Sequence, residues 1–341
     1  MSSSLSLAQK PLSSSESALI DLTRVLRHDL DQVNTLILDR SQSPVELIPQ
    51  VATHLIASGG KRLRPLLTLA SCQVFGYQGE HHIKLATAVE FIHTATLLHD
   101  DVVDESGLRR GKETAHTLWG NETSILVGDF LFAQAFKLMV ETQSLQALDT
   151  LSSAATTITQ GEVKQMMIKN DLSISPAIYQ DIITSKTAAL FKAACEIGAI
   201  LTNQPPQVRA NMADYGQNLG LLFQITDDIL DYFGSADKMG KSLGDDFKEG
   251  KVTLPVILTY LGANHREKEF LQACFEKLNQ APEDFEGIVS LMRRKGIYQK
   301  CRHQAYIYAD KAKEALNAID SSNPTKDILM TLPDYCLERV G

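Results

Sequence analysis

Two aspartate pentads constrain this chain more than any other feature. Asp100-Asp101-Val102-Val103-Asp104 and Asp227-Asp228-Ile229-Leu230-Asp231 each interrupt a run that otherwise reads as a buried helix. The flanks are His93-Thr94-Ala95-Thr96-Leu97-Leu98-His99 and Leu221-Leu222-Phe223-Gln224-Ile225-Thr226. A carboxylate taken out of water is costly unless a cation compensates it. In each pentad the first and fifth residues lie four apart and share one helix face. The second points about 100° away, as a further ligand or a support. One pentad alone is compatible with a solvated helix face or a cap. Two copies in apolar settings point to divalent metals held between facing helices. Oxygen donors suit magnesium, and magnesium in such a site suits a substrate carrying diphosphate.

The 341 residues allow one large core or two ordinary domains. Hydrophobic residues are 44% and charged residues 22%, as in soluble globular proteins. The net charge of -8 argues against binding nucleic acid through its phosphates. Cysteines 72, 195, 274, 301 and 336 form no CxxC pair and signal neither a zinc site nor a disulfide framework. They suit a reducing, cytoplasmic setting. No stretch is expected to span a membrane. Residues 1–16 are polar and lack a signal peptide's apolar region, so they read as a flexible arm before a domain over 17–341.

Leu19, Leu22, Val25, Leu26, Leu30, Val33 and Ile37 follow helical spacing and predict a helix over 17–38. Pro44 and Pro49 punctuate the next stretch, Gly59-Gly60 breaks the chain, and Pro65 fits a helix's first turn. Helices are expected over 83–105, 123–141, 148–167 and 176–199, then one after Pro205-Pro206 that carries the second pentad. Shorter ones follow over 254–260, 267–278, 285–294 and 297–319, with Pro324 and Pro333 framing a last short element. No alternating run suggests a sheet and no fixed period a solenoid. The expected fold is all-α: one large helical bundle around a central cavity.

Basic residues accompany the pentads. Gly59-Gly60 precedes Lys61, Arg62 and Arg64, with Lys61 and Arg64 on one side of the turn. Arg109-Arg110-Gly111 follows the first pentad, and Lys238, Lys241, Lys248 and Lys251 follow the second. Lys186-Thr187 adds a cation and a hydroxyl. Any one of these suits a solvated surface; beside acidic clusters they suit phosphate. The combination describes two substrates: a metal-bound diphosphate that leaves, and a metal-free diphosphate held by bare cations. An apolar cavity would shelter a carbocation-like centre from water. Neither GxSxG nor GxxxxGK[ST] occurs.

From about residue 20 to the C-terminus the chain carries GGKRLRP, FIHTATLLHDDVVDESGLRRG, GDFL, QGE, KTA, FQITDDILDY, GKSLGDDFKEGKVTLP and DYCLER, in that order. With these it resembles trans-type polyprenyl diphosphate synthases, nearest the bacterial octaprenyl-like group. The resemblance implies the isoprenoid-synthase helical fold and about three magnesium ions around an allylic diphosphate. Asp100 and Asp104 match the main ligands of the first motif and Asp227 and Asp231 those of the second, with Asp101 and Asp228 beside them. Lys61, Arg64 and His93 match residues that hold isopentenyl diphosphate, and Arg110 a further contact. Arg109, Lys186, Gln224 and Lys241 resemble the groups that hold the allylic diphosphate. Thr187 stabilises charge there, and Lys251 lies nearby. A lone histidine on an apolar helix reads as a core residue, but His93 stands two turns before Asp100 and matches a ligand. His99 keeps the structural reading.

The implied reaction ionises the allylic diphosphate, joins its carbon to the double bond of isopentenyl diphosphate, and loses a proton to the departing diphosphate. Short-chain members place bulky aromatics one turn before the first motif, where this chain has the small Ala95 and Thr96. The tunnel is therefore expected to continue, with Ile92, Phe91, Phe130, Leu131, Phe136 and Met139 as candidates for its floor. The expected product is octaprenyl diphosphate for a respiratory quinone side chain (ubiquinone), grown from a primer such as farnesyl diphosphate. The resemblance implies a homodimer and transient membrane contact for product delivery. Short-chain farnesyl or geranylgeranyl synthesis, a terpene cyclase and a noncatalytic subunit are the alternatives.

Overall fold

The computed structural model describes residues 16–57, 59–234, 243–277 and 281–340. The expected first helix divides at Leu26 into α1 (Glu16–Val25) and α2 (Arg27–Arg40). α3 (Leu47–Ala57) carries Pro49, and α4 (Leu63–Val74) carries Pro65, each in the first turn, where no backbone N–H is required. Pro49 thus sits inside a helix rather than between elements. α5 (His81–Val103) bears the first pentad and ends at Asp104.

Next comes a hairpin that the sequence pattern did not predict, β1 (Leu108–Arg109) against β2 (Lys112–Glu113). Arg110 (φ 53°) and Gly111 (φ 75°) form its two-residue loop, both with the positive φ that suits tight hairpins. Arg-Gly is not among the usual sequence signals for such a loop.

α6 (Ala115–Trp119), α7 (Asn121–Glu141) and α8 (Leu145–Met167) follow. Ser144 caps α8 and Ser175 caps α9 (Pro176–Ile183), each accepting a backbone N–H. The helix expected over 176–199 is interrupted by a π-helical turn, Thr184–Ala188, before α10 (Ala189–Leu201). α11 (Pro206–Phe233) is the longest element and bears the second pentad. The remainder is α12 (Asp245–Lys248), α13 (Leu254–Leu261), α14 (His265–Phe275), α15 (Pro282–Arg294), α16 (Ile297–Asn317) and α17 (Pro324–Glu338).

Pro333 does not end the last element but lies within α17. A proline there leaves the carbonyl four residues earlier without its helical donor. That carbonyl, on Leu329, accepts the buried Tyr215 hydroxyl at 2.8 Å, so the lost bond is replaced from α11.

α5 packs along α7, α11 along α10 and α16, and α10 against α4. The shared core holds Phe91, Phe191, Tyr215 and Tyr232, all fully buried. α7 is long and apolar enough to cross a membrane, contrary to expectation. Here one of its faces joins the core through Leu131, Ala135 and Leu138, while Leu126 and Val140 are exposed.

Candidate active site

A cleft of about 1790 Å³ opens between the Gly59–Arg64 turn, α5, the hairpin, α11 and the end of α17. Its lining divides by charge. On the acidic side, Lys251 Nζ donates to Asp104 Oδ2 at 2.8 Å and lies 2.5 Å from Glu249. Beside the lining residues, Lys186 Nζ stands 3.8 Å from Asp100 Oδ2 and donates to Glu162 (2.6 Å) and Gln165 (2.9 Å). Burial pushes the Glu162 carboxyl up to about 7, against the pull of Lys186, and burial likewise raises Asp100. Asp101 is fully buried and accepts from Arg109 Nε through both oxygens, at 2.9 and 3.1 Å. It orients Arg109 rather than lining the cleft.

The backbone supplies the means. The π-turn carries Lys186 and Thr187 toward α8, where a Cβ at Gly161 would lie 2.8 Å from the Lys186 nitrogen. Only a glycine lets the two segments approach this closely. π-turns add a residue to a helix and are frequent at functional sites.

The second pentad is held by a different set of partners. Asp227 lines the cleft and accepts from Arg339 Nη2 at 2.7 Å. Asp228 is buried and accepts from the Tyr179 hydroxyl (2.5 Å) and Gln224 Nε2 (2.7 Å). The Thr187 hydroxyl donates to Gln224 Oε1 at 2.7 Å, completing a chain of hydrogen bonds. Asp231, expected as a main metal ligand, is fully buried and accepts the backbone N–H groups of Asp245 and Asp246 at 3.2 Å each. It thereby accepts two backbone donors at the start of α12. The cleft carries Asp245, Asp246 and Glu249 instead, which pattern reading had not singled out.

On the basic side, Lys61 Nζ donates to the Tyr335 hydroxyl and sits 5.1 Å from that ring's centroid. Arg64 Nη1 meets His93 Nε2 at 3.0 Å, with its guanidinium 4.7 Å from the Phe191 ring centroid. Burial pulls Arg64 down to about 10, where it stays charged at neutral pH. Burial first, and then the neighbouring arginines, hold His93 well below its ordinary value. It is therefore neutral, and Nε2 is free of a proton to accept from Arg64. Arg110 packs over Gly60, where an added Cβ would lie 2.9 Å from Nη1. Arg62 pairs with Glu90.

The site therefore gathers Lys61, Arg64, His93, Arg109, Arg110 and Asp104 with Asp227 and Lys251. Lys186, Thr187 and Gln224 form a connected group beside it. Lys238 and Lys241 lie outside the described residues. Glu90, Glu162, Tyr179, Tyr335 and Arg339 were missed as functional candidates, although QGE and DYCLER contain three of them.

Among the described residues no three His, Cys, Asp or Glu side chains form a ready metal cage. The donor set would nevertheless suit magnesium bound together with a diphosphate. Asp100, Asp104 and Asp227 each already meet a lysine or arginine, so each position attracts a cation. Magnesium keeps several waters and needs only one or two carboxylates beside substrate phosphates.

Below the first pentad, Ala95 is fully buried and Thr96 turns its hydroxyl to the His93 carbonyl. Ile92, Phe91, Leu131 and Met139 are buried, and Phe130 is partly so. Phe136 is 40% exposed. His99 stacks on Phe132 with its Nε2 3.2 Å from the Ile125 carbonyl.

A family model described as polyprenyl synthetase matches residues 45–292. The chain belongs to the polyprenyl synthetase family of trans-prenyltransferases. It is 38% identical to octaprenyl diphosphate synthase of Escherichia coli (strain K12), over 93% of this chain and 98% of that one. It is also 34% identical to geranylgeranyl diphosphate synthase of Saccharolobus solfataricus (strain ATCC 35092 / DSM 1617 / JCM 11322 / P2), over 94% and 98%. Among solved structures, the polyprenyl synthase of Caulobacter crescentus CB15, complexed with calcium and isoprenyl diphosphate, is 47% identical, with a TM-score of 0.91 over 98% of this chain and 100% of that one. The expected family and the all-α isoprenoid-synthase fold are both borne out. The relatives named for octaprenyl and geranylgeranyl products differ little in identity, so identity alone does not fix product length.

Proposed function

We propose that this chain is a magnesium-dependent synthase that extends an allylic diphosphate primer, farnesyl diphosphate or similar, with isopentenyl diphosphate units to octaprenyl diphosphate. The observation that carries the reading is the division of one cleft into an acidic half and a basic half. Magnesium, when bound with diphosphate, neutralises the leaving group and promotes its departure. Asp100, Asp104 and Asp227 would hold it. Arg109, Lys186, Lys251 and Gln224 orient the allylic diphosphate, with Lys241 as a further candidate, and Thr187 donates beside it. Lys61, Arg64, Arg110 and neutral His93 hold isopentenyl diphosphate without metal. Its diphosphate is thereby bound but not activated, so only the allylic partner ionises. The proton lost on bond formation passes to the departed diphosphate.

The small side chains of Ala95 and Thr96 support a long product. Exposed Leu126 and Val140 on α7 and Leu145 at the start of α8 support assembly as a homodimer, with transient membrane contact at product release. The five buried free thiols suit a cytoplasmic setting.

Purified protein is incubated with magnesium, labelled isopentenyl diphosphate and farnesyl diphosphate, and products are resolved by length. A ladder ending at octaprenyl supports the reading. Arrest at farnesyl or geranylgeranyl rejects the length and keeps the chemistry. No condensation with any allylic primer rejects the enzyme.

A further inference from the structure

The turn that delivers Lys61 and Arg64 to the cleft passes through a strained residue. Arg62 has φ 48° and ψ 33°, the left-handed region that side-chain-bearing residues avoid. Its side chain points back to Glu90 on α5 and donates to Oε1. Both partners are largely buried, with side chains 17% and 8% exposed. Glu90 stands one turn before His93 on the same face of α5, and both line the cleft. Its charge also acts on Arg64 and Arg110.

A carboxylate facing a diphosphate site opposes the ligand it would meet. Its presence needs a reason, and Arg62 supplies one. A non-glycine residue stays in the left-handed region only where its surroundings hold it there, and the buried ion pair does so.

We infer that Glu90 is a positioning residue for the metal-free diphosphate: through Arg62 it holds the turn that aims Lys61 and Arg64 into the cleft. This deepens the assignment of that half to isopentenyl diphosphate and rests on it. Glu90 touches no substrate and acts on the cations before substrate arrives. The role is separable from charge by sign. On charge alone, Glu90→Gln removes repulsion and tightens anion binding. On positioning, it loosens the turn and weakens binding. Glycine adopts left-handed angles without strain, so adding Arg62→Gly restores the turn without the pair.

Wild type, E90Q and E90Q/R62G, all full length, are titrated calorimetrically with inorganic diphosphate without metal. Steady-state KM values are then measured for both substrates. E90Q should bind diphosphate about tenfold more weakly and raise KM for isopentenyl diphosphate about tenfold, with the allylic KM moved less than about twofold. E90Q/R62G should return to within about threefold of wild type. Tighter binding by E90Q, no recovery in the double variant, or a lower melting temperature with KM unchanged would each overturn the proposal. Should E90Q fold poorly, R62A against R62G decides: both leave Glu90 unpaired, so only loss of the turn makes R62A the weaker binder, and equal binding overturns the proposal. A wild type that binds diphosphate but condenses nothing rejects the proposed function, and the calorimetry then judges Glu90 separately. A wild type that binds no diphosphate overturns both.

Discussion

Arg339 donates to Asp227 across 2.7 Å, tying the last residues of the chain to the second aspartate pentad. The guanidinium also lies 4.9 Å from the Phe223 ring centroid. Four residues before Arg339, the Tyr335 hydroxyl accepts from Lys61. The end of α17 thus touches both halves of the cleft.

An internal cation on Asp227 competes with a metal ion for the same carboxylate. Arg339→Gln should therefore tighten binding of manganese alone, by up to about fivefold, because a partly exposed pair is worth about 1 kcal/mol or less after screening. Titration followed by electron paramagnetic resonance reads this directly. Unchanged affinity would mean that metal does not use Asp227.

His93 gives a dependence on pH. Folded His93 is held well below its ordinary value of 6.5. Below that pH the unfolded chain binds a proton that the native site refuses, so stability is complete above about 6.5 and is lost as pH falls. Wild type should lose melting temperature between pH 7 and pH 5, and His93→Gln should lose less. Parallel curves would show that His93 takes up its proton in the folded state.

Ala95 is fully buried on α5. Ala95→Phe adds a ring to a packed core, costing about 1–3 kcal/mol, and on the proposed function narrows the space for the growing product. Products should shorten by several isoprene units while condensation persists. Chromatography of the dephosphorylated alcohols checks it, and an unchanged ladder would place the path elsewhere.

Tyr179 donates to Asp228 at 2.5 Å within the core. Tyr179→Phe removes one donor from a buried carboxylate, costing about 1–3 kcal/mol. Denaturant unfolding should register that loss. Because Asp228 also orients Gln224, KM for the allylic substrate should rise more than KM for isopentenyl diphosphate. Equal changes would reduce Tyr179 to a purely stabilising contact.

What could be read from sequence was what repeats locally. Asp100 and Asp104 share a face because of helical spacing, and Pro65 announced the start of α4. The small Ala95 and Thr96 were equally plain. What escaped was long-range. Asp231 looks identical to Asp104 in its pentad, yet it caps α12, fourteen residues further on. Tyr335 and Arg339 meet Lys61 and Asp227 across separations of 274 and 112 residues, which leave no periodic trace. Pro333 reads as a helix terminator unless the Tyr215 hydroxyl that replaces its missing bond is known. The π-turn around Lys186 also depends on packing, since its residues suit an ordinary helix.

α5 carries Glu90, His93 and Asp104 into the cleft, and the proposed function sets His93 at one diphosphate and Asp100 and Asp104 at the other. At 1.5 Å per residue, His93 and Asp100 are separated by about 10.5 Å along a straight rod. The helix is thus a ruler between the two reacting ends, graduated by backbone hydrogen bonds. Substitutions that deepen or shorten the space for the growing tail leave those graduations in place. Descendants of such a chain can drift in product length through single side chains while inheriting the same chemistry unaltered.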